Sequence, residues 1–522
     1  MFEKCYKCGH GLKCQDEYVS LRPGFWWEWT NNTHRDRYRA FIANLLASLP
    51  SLHKDDVQFP YPLPKAYQCP EKESCEGGLD SKCKDGYQGP LCSVCKMGYS
   101  KQFHQCNKCP SKVWMAGKFA IIVTILLVII AACVWTKKRK DKNQKGELFL
   151  INEFLSKIKI AIGFYQVTYG LLEAFSYIEW PKSMEVVSKY TEILQLNVFQ
   201  MAPVHCLYSG LQADAFANLF AIMAINAAII VFAAVGYGVG KVIILRNKSL
   251  EDDEKSDKIS QIKDAVYRSV IFFLYVTYLT TCSKTAAVLP LACRKLCRVE
   301  KQVSCTEYLK VDYSIQCHDP WYNKLVVVAY ISTAYVLSLP TAAFIALWRQ
   351  RRIVLATANL EKANVPGVSS TEIIKGLHFL FANYTPSSWY WELVETSRKV
   401  MITSGLILLG QESRSYIGLS WVVAGMYGVV FAWNHPVEDA FENTLTTTSL
   451  AVTVFNLGVG AVSKIPAENL PATTDSYMDS ILFNMLVLGA NSLVIGLLVC
   501  KTTLLVFVIA LPLSFFLPLS SF

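Results

Sequence analysis

The chain has 522 residues, of which 52% are hydrophobic and only 18% are charged, with a formal net charge of +10 at pH 7. A soluble protein usually carries about 25% charged residues, so this composition excludes an ordinary soluble protein and indicates an integral membrane protein. The basic residues lie mostly in short loops beside hydrophobic runs, which is typical of an orientation signal. We therefore expect the lipid bilayer, and no nucleic acid, as a partner.

Cysteines are concentrated at the start of the chain, where ten of the eighteen precede residue 110. An apolar run from Trp114 to Trp135 follows them and ends at the basic sequence Lys137-Lys138-Arg139-Lys140. Disulfides persist in oxidising compartments, whereas basic loops stay in the cytoplasm. The pattern predicts a multi-pass plasma-membrane protein whose N-terminus is extracellular.

No apolar segment precedes the first cysteines, because the chain begins Met1-Phe2-Glu3-Lys4-Cys5. An exported disulfide-rich module must still cross the membrane. Either the run Trp114–Trp135 acts as a reverse signal anchor, or the sequence begins inside a longer protein. The spacing Cys5-x2-Cys8-x5-Cys14 resembles the tail of a repeat and favours the second alternative.

A bilayer core of about 30 Å needs roughly 20 mostly apolar residues per helix. Windows of that length predict nine spans, near residues 114–136, 158–179, 215–241, 269–291, 325–348, 399–411, 416–433, 444–463 and 481–500. The predicted fold is an all-α polytopic membrane protein with a transmembrane domain at 114–500 and a small disulfide-rich extracellular module at 1–113. In the apolar tail 501–522, Pro512 and Pro518 predict an interrupted helix.

The Lys and Arg residues of the loops support this orientation. With the N-terminus outside, the inner loops carry 20 of them and the outer loops carry 10. The inner loops are 137–147, 241–268 and 349–399, and the outer loops are 180–213, 292–324, 411–415 and 464–480. The loop cysteines that follow the first span all lie in outer loops, at Cys206, Cys293, Cys297, Cys305 and Cys317. The last four predict two disulfides or a link to Cys206, because connectivity cannot be read from sequence.

The strongest local motif is Cys83-Lys-Asp-Gly-Tyr-Gln-Gly-Pro-Leu-Cys92, followed by Cys95 and by Cys106-x2-Cys109. It resembles the last loop of an epidermal-growth-factor-like (EGF-like) domain, where glycines permit tight turns between bridged cysteines. The resemblance implies an EGF-like module at about 83–109. The Cys-x2-Cys spacings also fit zinc ligands. Because the exported context favours disulfides, we expect no bound metal.

The cysteine-free part of the module carries Phe25-Trp26-Trp27-Glu28-Trp29 and Tyr61-Pro-Leu-Pro64. These residues indicate either a small aromatic core or a platform for an extracellular protein ligand. The sequon at Asn31 is a glycosylation site that the predicted topology exposes, which makes the protein a glycoprotein. The sequons at Asn247 and Asn383 should be cytosolic and unmodified.

Ionisable residues inside predicted spans are costly in lipid, so each is a functional hypothesis. Gln166 and Glu173 lie seven residues apart, on one face of span two, and Lys284 lies in span four. Glu173 and Lys284 both belong to the outer halves of their helices and can pair. Such a pair either locks the helical bundle or forms part of an ion or substrate pathway.

Charged residues also stand at the predicted inner ends of two spans. Glu392 and Glu395 open the sixth, and Glu395 can bridge a cation three or four residues later along a helix. They indicate either a solvated juxtamembrane helix or a gating element. Glu438 and Asp439 precede the eighth span, where carboxylates complement the helix dipole or form a cation site at an inner mouth.

Signatures of catalysis are scarce. The sequence has no Gly-x4-Gly-Lys-Ser/Thr loop, no His-Glu-x2-His and no Gly-x-Ser-x-Gly, and its eight histidines are scattered. These motifs supply phosphate binding, metal-assisted hydrolysis and nucleophilic attack in the enzymes that carry them. We therefore expect neither an enzyme nor a bound cofactor.

The order of the motifs is more informative than any one of them. Span two begins at Lys159, span six opens with Trp389-Tyr-Trp-Glu-Leu-Val-Glu-Thr-Ser-Arg398-Lys399, and Asn434-His-Pro436 follows span seven. This arrangement is similar to multi-pass surface proteins that join EGF-like or cysteine-rich repeats to a transmembrane region resembling the fungal and protist TRP-like (transient receptor potential-like) family. The resemblance implies a cation channel or channel-like sensor that can form a homo-oligomer. The alternatives are a non-conducting receptor or adhesion protein and a transporter.

Overall fold

The structure is a computed structural model, and the statements below concern the residues that it describes. These are residues 8–9, 11–15, 18–48, 59–102, 105–111, 113–114, 117, 146–175, 178, 180–191, 206, 214–247, 251–298, 305–349, 351, 377, 380–405, 414–463 and 481–515. Within them the protein is mostly helical, and a strand region rich in disulfides precedes the long apolar helices. The predicted span at 114–136 lies almost entirely outside the described residues.

The N-terminal module is built from short antiparallel strand pairs and one helix. Its ten strands are β1 Leu12–Gln15, β2 Tyr18–Leu21, β3 Phe25–Trp26, β4 Tyr67–Gln68, β5 Cys75–Gly77, β6 Lys82–Cys83, β7 Tyr87–Gln88, β8 Val94–Cys95, β9 Tyr99–Gln102 and β10 Gln105–Lys108, and its helix is α1 Asn32–Ser48. Strands this short bury little apolar surface, so the module depends on covalent links for its stability. Tyr38 fastens α1 to β2, because its hydroxyl donates to the Val19 carbonyl at 2.7 Å.

Seven disulfides join the described cysteines: Cys8–Cys14, Cys69–Cys75, Cys83–Cys92, Cys95–Cys106, Cys109–Cys206, Cys293–Cys317 and Cys297–Cys305. The first four staple the N-terminal module to itself over short loops. Cys109–Cys206 closes a loop of 97 residues and ties the module to the segment before the first long apolar helix. The four cysteines between residues 293 and 317 pair with one another, so Cys206 has its partner in the N-terminal module.

The helices after the module are α2 Gly146–Ala174, α3 Lys182–Thr191, α4 Ala215–Arg246, α5 Asp252–Val288, α6 Pro320–Arg349, α7 Trp391–Val400, α8 Arg414–Asn434, α9 Ala440–Val462 and α10 Ile481–Phe515, with a π-helical turn Met401–Gly405 after α7. Six of them are long and apolar enough to cross a membrane, in α4, α5, α6, α8, α9 and α10. They coincide with six of the nine predicted spans. The prediction at 158–179 falls mainly in α2, which is helical but is not one of the six, and much of 399–411 lies outside the described residues.

Helix α6 carries tryptophans at positions suited to the two interfaces of a bilayer. Trp321 and Trp348 are half exposed and stand near its two ends, 27 positions apart. At 1.5 Å per residue they are separated by about 40 Å, which matches the distance between the two interfacial zones of a bilayer. Tryptophan prefers these zones because its ring is amphipathic. The exposed apolar side chains between them, such as Ile331 and Leu337, are therefore suited to lipid.

One expectation for the tail was wrong. Pro512 predicts an interrupted helix, yet α10 continues as far as Phe515. A proline removes one backbone donor and crowds the preceding turn, but in an apolar environment a break would leave several further groups unsatisfied. Helix α6 also continues through a proline, Pro340.

One glycine of α9 is packed closely against an aromatic side chain. Trp180 lies against Gly460 of α9, where an added Cβ would come within 2.6 Å of the indole ring. Gly458, two positions earlier, leaves 3.5 Å to Trp421 Nε1, an ordinary contact. Of these two positions, only Gly460 therefore lies too close to its neighbour to hold a larger residue without movement.

These two glycines give a matched test of the packing. We expect Gly460→Ala to lower the free energy of unfolding by roughly 1–3 kcal/mol, because the rigid indole must move. Gly458→Ala should be neutral or stabilising by up to about 1 kcal/mol, because alanine is the better helix former. Thermal unfolding of the purified protein in detergent measures both. Equal effects of the two variants would contradict the close contact with Trp180.

Candidate functional site

Glu392, in the first turn of α7, is the centre of a buried charged cluster. Only 2% of the residue is exposed. Its carboxylate accepts hydrogen bonds from Lys159 Nζ at 2.7 Å, from the Tyr384 hydroxyl at 2.8 Å and from the Tyr275 hydroxyl. Lys159 belongs to α2 and Tyr275 to α5. One carboxylate thus joins three helices through donors that are far apart in the chain.

Glu395, one turn later, is neutralised within its own helix. Arg398 Nε and Nη2 donate to its two oxygens at 2.9 and 2.7 Å, and Lys399 Nζ lies 3.5 Å from Oε1. The arginine has the bidentate fork geometry that makes such pairs strong. Its guanidinium also stands over the ring of Tyr427, 5.0 Å from the centroid. The local spacing predicted from sequence is the geometry observed.

The sequence of α7 places these charges inward. Trp391, Glu392, Glu395 and Arg398 are buried on one face, and the Trp391 indole donates to the Tyr427 hydroxyl at 3.1 Å. Two glycines of α2 leave room for α7 and for the π-helical turn that follows it. An added Cβ at Gly163 would stand 2.8 Å from Lys399 Nζ, and one at Gly170 would stand 2.6 Å from a methyl group of Thr403. Residues without side chains are what allow this close approach.

Two small cavities adjoin the cluster, each about 40 Å³. Both are lined by Lys159, Gly163 and Lys399, so they meet at the same two ammonium groups. Each has room for more than one water molecule, which needs about 10–15 Å³ of such volume. Glu392, Glu395 and further charged and hydroxyl groups line part of the first cavity, which we call the cleft.

One wall of this cleft is a single face of α9. Glu442, Thr446, Ser449 and Thr453 line it at intervals of four, three and four residues. The wall is therefore about 16 Å long, roughly half the thickness of a bilayer core. The three hydroxyls donate to backbone carbonyls of α9 at 2.7–2.8 Å, which leaves each oxygen as an acceptor.

The other predicted site residues lie apart from this cluster or have structural partners. Glu173 and Lys284 form an ion pair with an N–O distance of 3.3 Å. Gln166 Nε2 donates to the Val276 carbonyl at 3.3 Å, and Gln166 lines the second cavity. Asp439 caps α9 by accepting from the backbone N–H groups of Phe441 and Glu442. Glu438 is exposed, and its backbone N–H donates to the Asn383 carbonyl.

Sequence reasoning missed the partners of Glu392. From sequence, Lys159 marks only the start of span two, and no motif or spacing singles out Tyr275 or Tyr384. A usable clue did exist, because Lys157 and Lys159 stand at the edge of an apolar run where lysines are costly unless they are paired. Lys157 is buried, with its Nζ 5.5 Å from the centre of the Phe441 ring, and the Lys159 side chain is 12% exposed.

A second arrangement joins the N-terminal module to the helices. Strands β11 Cys293–Cys297 and β12 Cys305–Leu309 form a hairpin after α5. Tyr67 of the module donates to the Cys297 carbonyl at 3.0 Å and accepts from the Cys297 N–H at 2.6 Å. Arg298 contacts Glu28 at 2.8 Å, and this hydrogen bond raises the pKa of Arg298. Leu296 of the hairpin belongs to the same core as Trp26.

The same hairpin belongs to the core of the helices. Ala292 and Leu309 pack with Phe216 of α4 and Tyr322 of α6 in one buried cluster. The Tyr322 hydroxyl donates to the Val288 carbonyl at the last residue of α5, at 2.9 Å. The hairpin therefore contributes side chains to both cores.

The aromatic residues of the module are mostly interior. Trp27 is 1% exposed, and its indole donates to the Leu79 carbonyl at 3.0 Å. Tyr61 remains exposed beside Arg37 and His34. Asn31 is exposed and accepts from the His34 N–H at the start of α1. The geometry favours a small aromatic core over a broad aromatic platform.

Comparison with known proteins gives one match. A family model described as "Domain of unknown function (DUF7630)" matches residues 66–110. That segment holds strands β4 to β10 and three disulfides of the module, but it is a small part of the chain. No curated protein and no solved structure matches.

A double-mutant cycle tests the central ion pair. Glu392→Gln should lower the free energy of unfolding by about 3–5 kcal/mol, because it leaves Lys159 buried without its anion. Lys159→Met in the same protein should recover part of that loss, giving a coupling energy of roughly 1–3 kcal/mol. Chemical unfolding in detergent measures the four proteins. Strictly additive effects would show that the two groups do not interact.

Proposed function

We propose that this protein is a cell-surface sensor in which an external disulfide-rich module acts on a transmembrane helical bundle. The observation that carries the proposal is the hairpin β11–β12, which packs in the core of the module on one side and in the core of the helices on the other. A module attached only for adhesion needs no such shared core, because a flexible linker is sufficient.

Helix α5 supplies a continuous physical connection. Its last residue, Val288, is held by Tyr322 beside the hairpin, and Lys284 pairs with Glu173 one turn earlier. Tyr275 of the same helix donates to Glu392. The distance along the helix from Val288 to Tyr275 is about 20 Å. A displacement of the hairpin therefore acts on the charged cluster through one rigid element, which is the kind of connection that coupling between sites requires.

The finer architecture is part of the same proposal. The protein has nine spans, an extracellular N-terminus and a plasma-membrane location, in accordance with the basic residues of the predicted inner loops. The EGF-like and TRP-like resemblances support this arrangement. The Cys83–Cys92 and Cys95–Cys106 bridges are compatible with the EGF-like reading, since each closes a short glycine-containing loop.

A cation channel is the second candidate output of the sensor, and the cleft along α9 favours it. Glu442, Thr446, Ser449 and Thr453 give a polar wall that reaches about half of the bilayer thickness. Three of the candidate carboxylates have other roles, however. Glu392 and Glu395 are neutralised by cations, and Asp439 caps a helix. A conduction path would therefore depend on Glu442 and the hydroxyls.

Hydrogen–deuterium exchange of the full-length protein in lipid nanodiscs tests the coupling. Tyr67→Phe removes the hydroxyl that bonds Cys297 but keeps the ring. We expect faster exchange in the hairpin and also, several-fold, in α7. Tyr99→Phe is the control, because the Tyr99 hydroxyl donates to Asp85 within the module at 2.9 Å. Changes confined to the module and hairpin would contradict the sensor.

Current measurements on the same proteins in a planar bilayer show whether the sensor conducts ions. A cation-selective current that Tyr67→Phe alters is the result expected of a gated channel. Silence, together with transmitted changes in exchange at α7, is the result expected of a receptor that does not conduct.

Glycan mapping in cells tests the topology. Asn31→Gln should remove one N-linked glycan, because the sequon is exposed at the start of α1 and faces the lumen during export. Asn247→Gln and Asn383→Gln should leave the electrophoretic mobility unchanged, because both sequons are cytosolic in the nine-span arrangement. Glycan on Asn247 or Asn383, or none on Asn31, would reject that orientation.

A further inference from the structure

The hairpin β11–β12 has a base and a tip that belong to different parts of the protein. At the base, Ala292 and Leu309 lie in the core of the helices. Towards the tip, Leu296 packs in the core of the module. The Tyr67 hydroxyl donates to the Cys297 carbonyl and accepts from the Cys297 N–H. The tip is therefore the end of the hairpin that holds the module.

A disulfide crosses this tip at the last residue pair of the two strands. Cys297 and Cys305 stand directly opposite each other in the register of β11 and β12. Among the described residues, no other disulfide joins directly opposed positions of paired strands. Five residue pairs align the strands through backbone hydrogen bonds, and Cys293–Cys317 holds the base. Loss of the bond at the tip is therefore compatible with a folded hairpin.

The disulfide at the tip is more accessible than the one at the base. Cys297 and Cys305 are both partly exposed, whereas Cys317 at the base is only 3% exposed. Four of the seven disulfides contain a buried cysteine, at Cys69, Cys92, Cys106 and Cys317. Thiol–disulfide exchange requires an attacking thiolate to reach one of the two sulfurs, so exposed disulfides are the more labile ones.

Two further disulfides lack a buried cysteine, but they differ in position or in the loop that they close. Cys8–Cys14 joins residues of the module only, and Cys109–Cys206 closes a loop of 97 residues. A bond that closes a long loop restricts the unfolded chain more than a bond between residues eight positions apart, such as Cys297–Cys305. The bond at the tip is thus accessible, is placed at the module contact and costs the fold little to lose.

We propose that Cys297–Cys305 is a redox-modification site, at which a dithiol reductant breaks the bond and loosens the contact between the hairpin and the module. One thiolate of the reductant attacks either cysteine sulfur, a mixed disulfide forms, and the other cysteine leaves as a thiolate. The second thiol of the reductant then attacks the mixed disulfide. Two electrons and two protons pass to the cysteine pair, and the reductant leaves as a disulfide.

The contacts that hold the module begin at this bond. Besides the two hydrogen bonds of Tyr67, the next residue, Arg298, pairs with Glu28 at 2.8 Å, and its carbonyl accepts from the Lys65 N–H. Freedom gained at Cys297 therefore reaches these contacts first. Coupling between two equilibria is reciprocal, so a weakened module contact must also make the bond easier to reduce. Transmission onward to α7 rests on the proposed sensor function, whereas reduction of the bond does not.

The test uses the full-length protein in lipid nanodiscs and dithiothreitol as the dithiol. The protein is equilibrated with increasing dithiothreitol and quenched with a maleimide, and mass spectrometry of the cysteine peptides gives the reduced fraction of each disulfide. We expect Cys297–Cys305 to be half reduced at a concentration about tenfold lower than Cys293–Cys317, the internal control in the same hairpin. At that concentration, hydrogen–deuterium exchange should rise several-fold around Tyr67 and stay unchanged around Leu309.

Variants separate this bond from the other accessible ones. Tyr67→Phe should lower the concentration for half reduction several-fold, whereas Tyr99→Phe should leave it unchanged. A protein with both Cys297→Ala and Cys305→Ala should show the raised exchange around Tyr67 without reductant and no further rise with it. The measurements on the wild-type protein decide the proposal even where this double variant does not fold.

Two outcomes would overturn the redox site. One is reduction of Cys297–Cys305 only together with Cys293–Cys317, and the other is selective reduction with unchanged exchange around Tyr67. Selective reduction that raises exchange around Tyr67 but leaves α7 unchanged is a different result. It supports the redox site and contradicts the proposed sensor, so the two proposals fail separately.

Discussion

The structure depends on the requirement that charge buried among membrane helices be neutralised where it lies. Lys159 of α2 and Glu392 of α7 meet at 2.7 Å, and the hydroxyl of Tyr275 brings α5 to the same carboxylate. Removing one partner of such a pair costs more than forming it gains, because the remaining ion is left as an uncompensated buried charge. The three helices are therefore held in one arrangement by the penalty for separating them, which is a stronger constraint than apolar packing alone in lipid.

The hairpin β11–β12 connects the N-terminal module to the helices that hold the charged cluster. It follows α5 after the short turn Pro290–Ala292. The disulfide Cys297–Cys305 joins its two strands, Cys293–Cys317 ties it to the segment that follows, and Tyr67 attaches it to the N-terminal module. The module is itself closed by short disulfide loops and tied to the helices by Cys109–Cys206. In the described part of the chain, the route from Tyr67 to Glu392 passes through the bridged hairpin, the short turn Pro290–Ala292 and helix α5.

The features that can be predicted from sequence are those that depend on residues close together in the chain. Six of the apolar spans follow from their length, and the contact of Glu395 with Arg398 follows from a separation of three residues on a helix. Lys159 and Glu392, which form an ion pair, are 233 positions apart in the chain, and no sequence periodicity predicts this contact. The link from Cys109 to Cys206 is similar, because pairing depends on which loops the fold brings together. The sequence leaves two roles open for Asp439, and the structure places it at the N-terminus of α9 as a helix cap.

The buried cluster also limits how the protein can work. A path for cations beside α7 would pass Arg398 and Lys399, whose positive charges oppose it, and the acceptors that remain belong to α9.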